Sequence, residues 1–81
     1  MYETYCDFVI IAGVARNNLN GEFARHNSEH DAIKFACDKH GATLADCNMT
    51  YAGNGILLLL VTDAIGATWV YTVRNWNWKQ T

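Results

Sequence analysis

Apolar and polar positions alternate with two different periods along this chain, and the switches between them mark its elements. Residues 5–15, Tyr-Cys-Asp-Phe-Val-Ile-Ile-Ala-Gly-Val-Ala, are dense in β-branched and aromatic side chains and too short for a typical helix. They predict a first strand. Arg16-Asn17-Asn18-Leu19-Asn20-Gly21 is a cluster of turn formers, read as a hairpin loop longer than two residues. Residues 22–26, Glu-Phe-Ala-Arg-His, alternate and predict a short, half-exposed edge strand. Ser28-Glu29-His30-Asp31 then announces a helix. The Ser28 hydroxyl is placed to accept the Asp31 amide hydrogen, and Glu29 and Asp31 put negative charge at the positive end of the helix dipole. The helix is read through Lys39, with Gly41 as the left-handed residue that ends it. Ile33, Ala36, Cys37 and His40 share one stripe, and the small alanines allow close packing on a sheet.

Residues 42–51 alternate again and predict a third strand, with Ala45, Cys47, Met49 and Tyr51 on one face and Leu44, Asp46, Asn48 and Thr50 on the other, wet face. Gly53-Asn54-Gly55 is the clearest hairpin signal in the chain. Residues 56–62 form a fourth strand, apolar on both sides. A turn at residues 63–66 leads to a fifth strand at 67–74, whose two-residue period continues through Asn75-Trp76-Asn77-Trp78-Lys79. The strand-to-strand links are short, which demands antiparallel neighbours. The expected fold is α+β in a single domain, residues 1–81: a five-stranded antiparallel sheet with one helix packed on one face, in the order β-β-α-β-β-β.

One helix of about twelve residues is roughly 18 Å long and roofs only one side of such a sheet. Yet the first and fourth strands are apolar on both sides. One set of their side chains packs under the helix, and the other, assigned here to Val9, Ile11, Leu57 and Leu59, lies on the open face. Burying each such residue is worth roughly 1.5–3 kcal/mol, so an uncovered set is a strong drive to association. Three outcomes follow: a homodimer, a docking surface for another protein, or cover by loops and the aromatic tail.

Composition narrows the partners. The chain is 51% apolar and 17% charged, with six basic and eight acidic residues, a net charge of −2 and a pI near 5.8. This excludes a nucleic-acid binder driven by bulk positive charge and a strongly acidic mimic of DNA. No apolar run approaches the roughly 20 residues of a membrane span, and no secretory signal pattern is visible, so a soluble cytoplasmic protein is expected. The three cysteines, Cys6, Cys37 and Cys47, are read as reduced, small apolar residues, a single disulfide or redox role being the other reading. Arg74, Trp76 and Trp78 share a face if the last strand continues, with Lys79 alongside. They are candidate interface residues, since Trp and Arg are enriched at binding hot spots. Two other readings are that the tryptophans cap the sheet, or that they stack single-stranded nucleic acid, which the acidic balance disfavours.

Catalytic and metal chemistry find little support. Among His26, His30, Cys37 and His40 only Cys37 and His40 share a helix face, and two ligands do not make a zinc site. Cys37 lies on the apolar stripe, where a thiol is inert. The glycines at 53 and 55 belong to a hairpin and not to a phosphate loop. No cofactor, metal or catalytic residue is expected.

The layout resembles small phage-encoded inhibitor proteins, nearest to anti-CRISPR proteins that block type I surveillance complexes. The matching features are residues 8–14 and 22–26 as a first hairpin, the Ser-capped helix at 28–36, the central strand Asn54-Gly55-Ile56-Leu57-Leu58, and Trp69-Val70 in the last strand. The resemblance implies a non-enzymatic protein in the bacterial host cytoplasm that binds a host protein or Cas complex by steric occlusion. It carries over no functional residues. The alternative is a small dimeric ligand-binding or sequestering protein.

Overall fold

The computed structural model describes residues 1–18 and 21–75. The first strand, β1 (Tyr2–Ile11), ends in a two-residue turn at Ala12 and Gly13, whose φ angles are 52° and 78°. The chain reverses there into β2 (Val14–Asn17), and β3 (Phe23–His26) continues along the same side of β1. The expected single strand over 5–15 is therefore a hairpin, and the expected five strands are six. The Ala-Gly turn has only Gly13 as a turn former, with Ala12 in place of the usual Asn, Asp or Gly and apolar residues on both sides, which is why the run reads as unbroken.

The break between β2 and β3 is held by backbone contacts. Asn18 donates its backbone N–H to the Asp7 carbonyl at 3.0 Å and its side-chain amide to the Cys6 carbonyl at 3.4 Å. Gly21 lies so close that a Cβ there would stand 2.6 Å from the Cys6 oxygen. β2 thus pairs with Phe8–Ile11, and β3 pairs with Tyr2–Tyr5.

Helix α1 (Glu29–Lys39) starts as its sequence dictates: Ser28 Oγ accepts the Asp31 amide at 3.1 Å. It ends with Gly41 at φ 65°, its N–H on the Asp38 carbonyl and that of Ala42 on the Cys37 carbonyl. This pair of bonds satisfies carbonyls that the helix end would orphan. Residues 44–46 then form a single 3₁₀ turn and not the first half of a strand. Asp46 explains the difference: its carboxylate accepts from both the backbone N–H and the hydroxyl of Thr43, at 3.1 and 3.0 Å. β4 (Cys47–Gly53) begins after it, followed by β5 (Ile56–Thr62) and β6 (Thr68–Asn75). Asn54 and Gly55, at φ 55° and 75°, make the expected tight turn.

The fold is α+β. The strands lie in the order β2-β1-β6-β5-β4, with β3 also on β1, and every pairing is antiparallel. Helix α1 packs over β1, β3, β5 and β6. Ala32 and Ala36 have no exposed surface, so the helix sits close to the strands. Beneath it lie Cys6, Leu57, Leu59, Val61, Tyr71 and Val73. No helix among the described residues is long and apolar enough to cross a membrane.

Two features set which side chains point at the helix. The turn at 63–66 pairs Thr62 with Thr68, and so Leu59 with Tyr71 and Leu57 with Val73. In β1 a bulge at Asp7 shifts the register between Cys6 and Phe8. Before the bulge Thr4 and Cys6 face the helix; after it Val9 does, opposite Trp69. Val9, Leu57 and Leu59 are consequently buried on the helix side of the sheet, Leu57 and Leu59 in the cluster beneath α1, not on the open face as expected. Ile11 shares their side of the sheet but lies at the far end of β1, 46% exposed.

Candidate functional site

The face without a helix carries the other half of each alternating set. Register partners share a face, so it reads as rows across the sheet. Leu60, Val70 and Phe8 form an apolar row, flanked by Thr62, Thr68 and Ile10. The next row runs Leu58, Thr72, Tyr5, Phe23, and the next Ile56, Arg74, Glu3, Arg25. Ile56, Leu58, Leu60, Phe8 and Ile10 are each only half-buried, and Tyr5 and Phe23 are exposed.

At the aromatic end of this face lies a hollow of about 440 Å³, lined by Glu3, Tyr5, Asp7, Phe23, Thr72 and Arg74. Bulging at Asp7 aims its carboxylate across the strand, where it accepts the Thr72 hydroxyl at 2.6 Å. The nearly buried Glu3 carboxylate meets Arg25 Nε at 3.3 Å, and the Arg25 guanidinium sits 5.8 Å from the centre of the Phe23 ring. Two carboxylates and two guanidinium groups thus lie in and beside the hollow, between aromatic walls. Among the described residues this face has no cysteine, histidine or lysine. It combines an apolar centre, exposed aromatic side chains, and charges of both signs at one rim.

A second hollow, of about 290 Å³, opens beside the end of α1, between Cys6, Phe35, Lys39, His40, Trp69 and Tyr71. His40 stacks on Trp69 at 4.5 Å, and its Nε2 lies 2.6 Å from the Tyr71 hydroxyl. Burial pushes the Tyr71 phenol up and the His40 imidazole down. Tyr71 therefore keeps its proton beside a neutral His40, and the two share one hydrogen bond whose direction follows the His40 tautomer. Trp69 Nε1 donates to Asp63 Oδ2 at 2.9 Å, and this bond above all holds the Asp63 carboxyl below its usual range. The Cys6 thiol is pushed up by burial. A protonated thiol beside an imidazole already hydrogen-bonded to Tyr71 is arranged for packing.

The histidines and Cys37 do not converge. His26 bonds Thr4 Oγ1 at 3.0 Å and tilts over Phe35, while His30 is exposed in the first helical turn. No three of the described His, Cys, Asp or Glu residues are placed to hold a metal ion. Of the tail candidates, Arg74 lies on the open face; Trp76, Trp78 and Lys79 fall outside the described residues. Sequence reasoning missed Phe8, Ile10, Leu58, Leu60, Tyr5 and Phe23 as the open-face set. For β5 the signal was present: the turn at 63–66 pairs odd residues with Trp69, Tyr71 and Val73, while threonines alternate on the other side. Compared with known proteins, the chain matches no family model, no curated relative and no solved structure.

Proposed function

We propose that this chain is a non-enzymatic binding protein and that the open face of its sheet is the working surface. The observation that carries the reading is the set of half-buried apolar side chains on this face, Phe8 and Ile10 of β1 and Ile56, Leu58 and Leu60 of β5, joined across β6 by the buried Val70 and bordered by exposed Tyr5 and Phe23. An apolar centre with aromatic anchors and a mixed polar rim is the make-up of a protein–protein contact. Glu3 and Asp7 balance Arg25 and Arg74, so the face has no net charge to attract a phosphate backbone. The partner is a protein surface, and the mode of action is occlusion of that surface. Following the resemblance of layout, the partner class is a bacterial defence assembly of the type I CRISPR kind, met in the cytoplasm of a bacterial host.

The test is inhibition of target-DNA binding by a purified type I surveillance complex. The native chain is expected to block binding, and Leu58→Glu to lose the block while keeping its native circular dichroism, because Leu58 lies outside the covered core. A native chain that leaves DNA binding unchanged, or a Leu58→Glu variant that inhibits equally, overturns the proposal. The hollow between Tyr5 and Phe23 favours a second reading, a small-ligand binder with this face shared between two copies. That reading predicts a dimer mass in light scattering and a melting temperature raised by the ligand.

A further inference from the structure

Cys37 and Cys47 are ten residues apart in sequence, and their sulfur atoms lie 2.8 Å apart. That is roughly 0.8 Å beyond the about 2.0 Å of a disulfide bond. Local structure alone brings them together. Cys37 ends the buried stripe of α1, the turn at Gly41 reverses the chain, and the Asp46-capped 3₁₀ turn returns it so that β4 begins at Cys47. Cys37 is 4% exposed and Cys47 partly exposed, so one sulfur is reachable and the other waits behind it. Cys47 also donates to the Thr43 carbonyl at 3.3 Å, across the same loop. The third cysteine, Cys6, is directed elsewhere, its thiol 3.7 Å from the Phe8 carbonyl oxygen.

We propose that Cys37 and Cys47 are a modification site, closing into an intramolecular disulfide when the protein meets a low-molecular-weight disulfide such as oxidised glutathione. Cys47 loses its proton to solvent and attacks one glutathione sulfur. The glutathione S–S bond breaks, and one glutathione leaves as its thiolate. Cys37 then gives up its proton and attacks the Cys47 sulfur of the mixed disulfide, expelling the second glutathione. Two protein thiols are oxidised by two electrons, one glutathione disulfide is reduced to two thiols, and the two protons lost match the two gained. Burial and the neighbouring Cys37 push the Cys47 thiol up to about 12, so thiolate is scarce at neutral pH and the first step quickens as pH rises. The closed bond ties the end of α1 to the start of β4 and restricts the loop between them in the unfolded chain. This site is independent of the sheet face.

The experiment treats the full chain with oxidised glutathione at pH 7 and at pH 9 and reads free thiols, intact mass and melting temperature. Free thiols are expected to fall from three to one, as the composition of three cysteines allows. The monomer mass should drop by two hydrogen atoms, closure should be faster at pH 9, and melting should rise by on the order of 10 °C. Cys6→Ser should leave closure intact. Cys37→Ser should stop at the mixed disulfide on Cys47. Retention of all three thiols at pH 9, a bond to Cys6, a cross-linked dimer, or an oxidised form that melts no higher would each overturn the proposal.

Discussion

Replacing Leu59 by Ala and, separately, Leu58 by Ala tests the division of the sheet into a covered and an open face. Leu59 has no exposed surface and lies opposite Tyr71 in the cluster beneath α1. Truncation there removes buried carbons and leaves a cavity, at a cost of about 3–5 kcal/mol. A chain of 81 residues has a total stability of roughly 4–12 kcal/mol, so the loss is a large share of it. At about 4–8 °C per kcal/mol for a domain of this size, melting should fall by at least about 12 °C. Leu58 is the next residue along, but it is only partly buried and no helix lies above it. It surrenders only part of a leucine's transfer energy and opens no enclosed cavity, for a cost of about 1–2 kcal/mol. Urea unfolding followed by far-ultraviolet circular dichroism measures both, with unchanged denaturant slopes confirming a stability effect. Equal costs for the two variants would refute the reasoning, because they would mean that the second face is roofed as fully as the first.

Two further outcomes follow from the polar contacts. Asp63 accepts from the backbone N–H groups of Ile65 and Ala67 and from Trp69 Nε1, so Asp63→Ala should lower the melting temperature and shift tryptophan emission. Unchanged melting and emission would show that the turn holds itself without the carboxylate. The pH dependence has a defined sign. Burial lowers the His26 and His40 imidazoles, so below about pH 6.5 the unfolded chain takes up protons that the fold resists. Stability should therefore decline as pH falls from about 6.5 toward the lowered folded values. Asp63, lowered by its hydrogen bonds, contributes above its unfolded value and loses that contribution as pH falls through its folded one. Melting curves across pH 3–8 should show the histidine part reduced in His40→Gln; an unaltered profile in that variant would contradict it.

Much of the fold is written locally. Ser28, Gly41 and the Asn54-Gly55 turn act through bonds to residues a few positions away, and each does in the structure what its chemistry dictates. The apolar run of β5 and the single helix likewise fix an α+β fold with one face left without a helix. What the sequence conceals is geometry made by distant partners. The Ala12-Gly13 turn is carried through with a non-glycine at positive φ because β2 gains β1 as its partner. The bulge at Asp7 depends on Thr72, which lies 65 residues away. That bulge inverts which side of β1 meets the helix, and the β5–β6 register decides the same for the leucines. A strand's period is two, so a shift of one residue exchanges its faces completely. Sequence therefore determined that this sheet would have a greasy second side; only the tertiary pairing decided that Phe8, Ile10, Leu58 and Leu60 form it while Leu57 and Leu59 lie beneath the helix and Val9 on the helix side of the sheet.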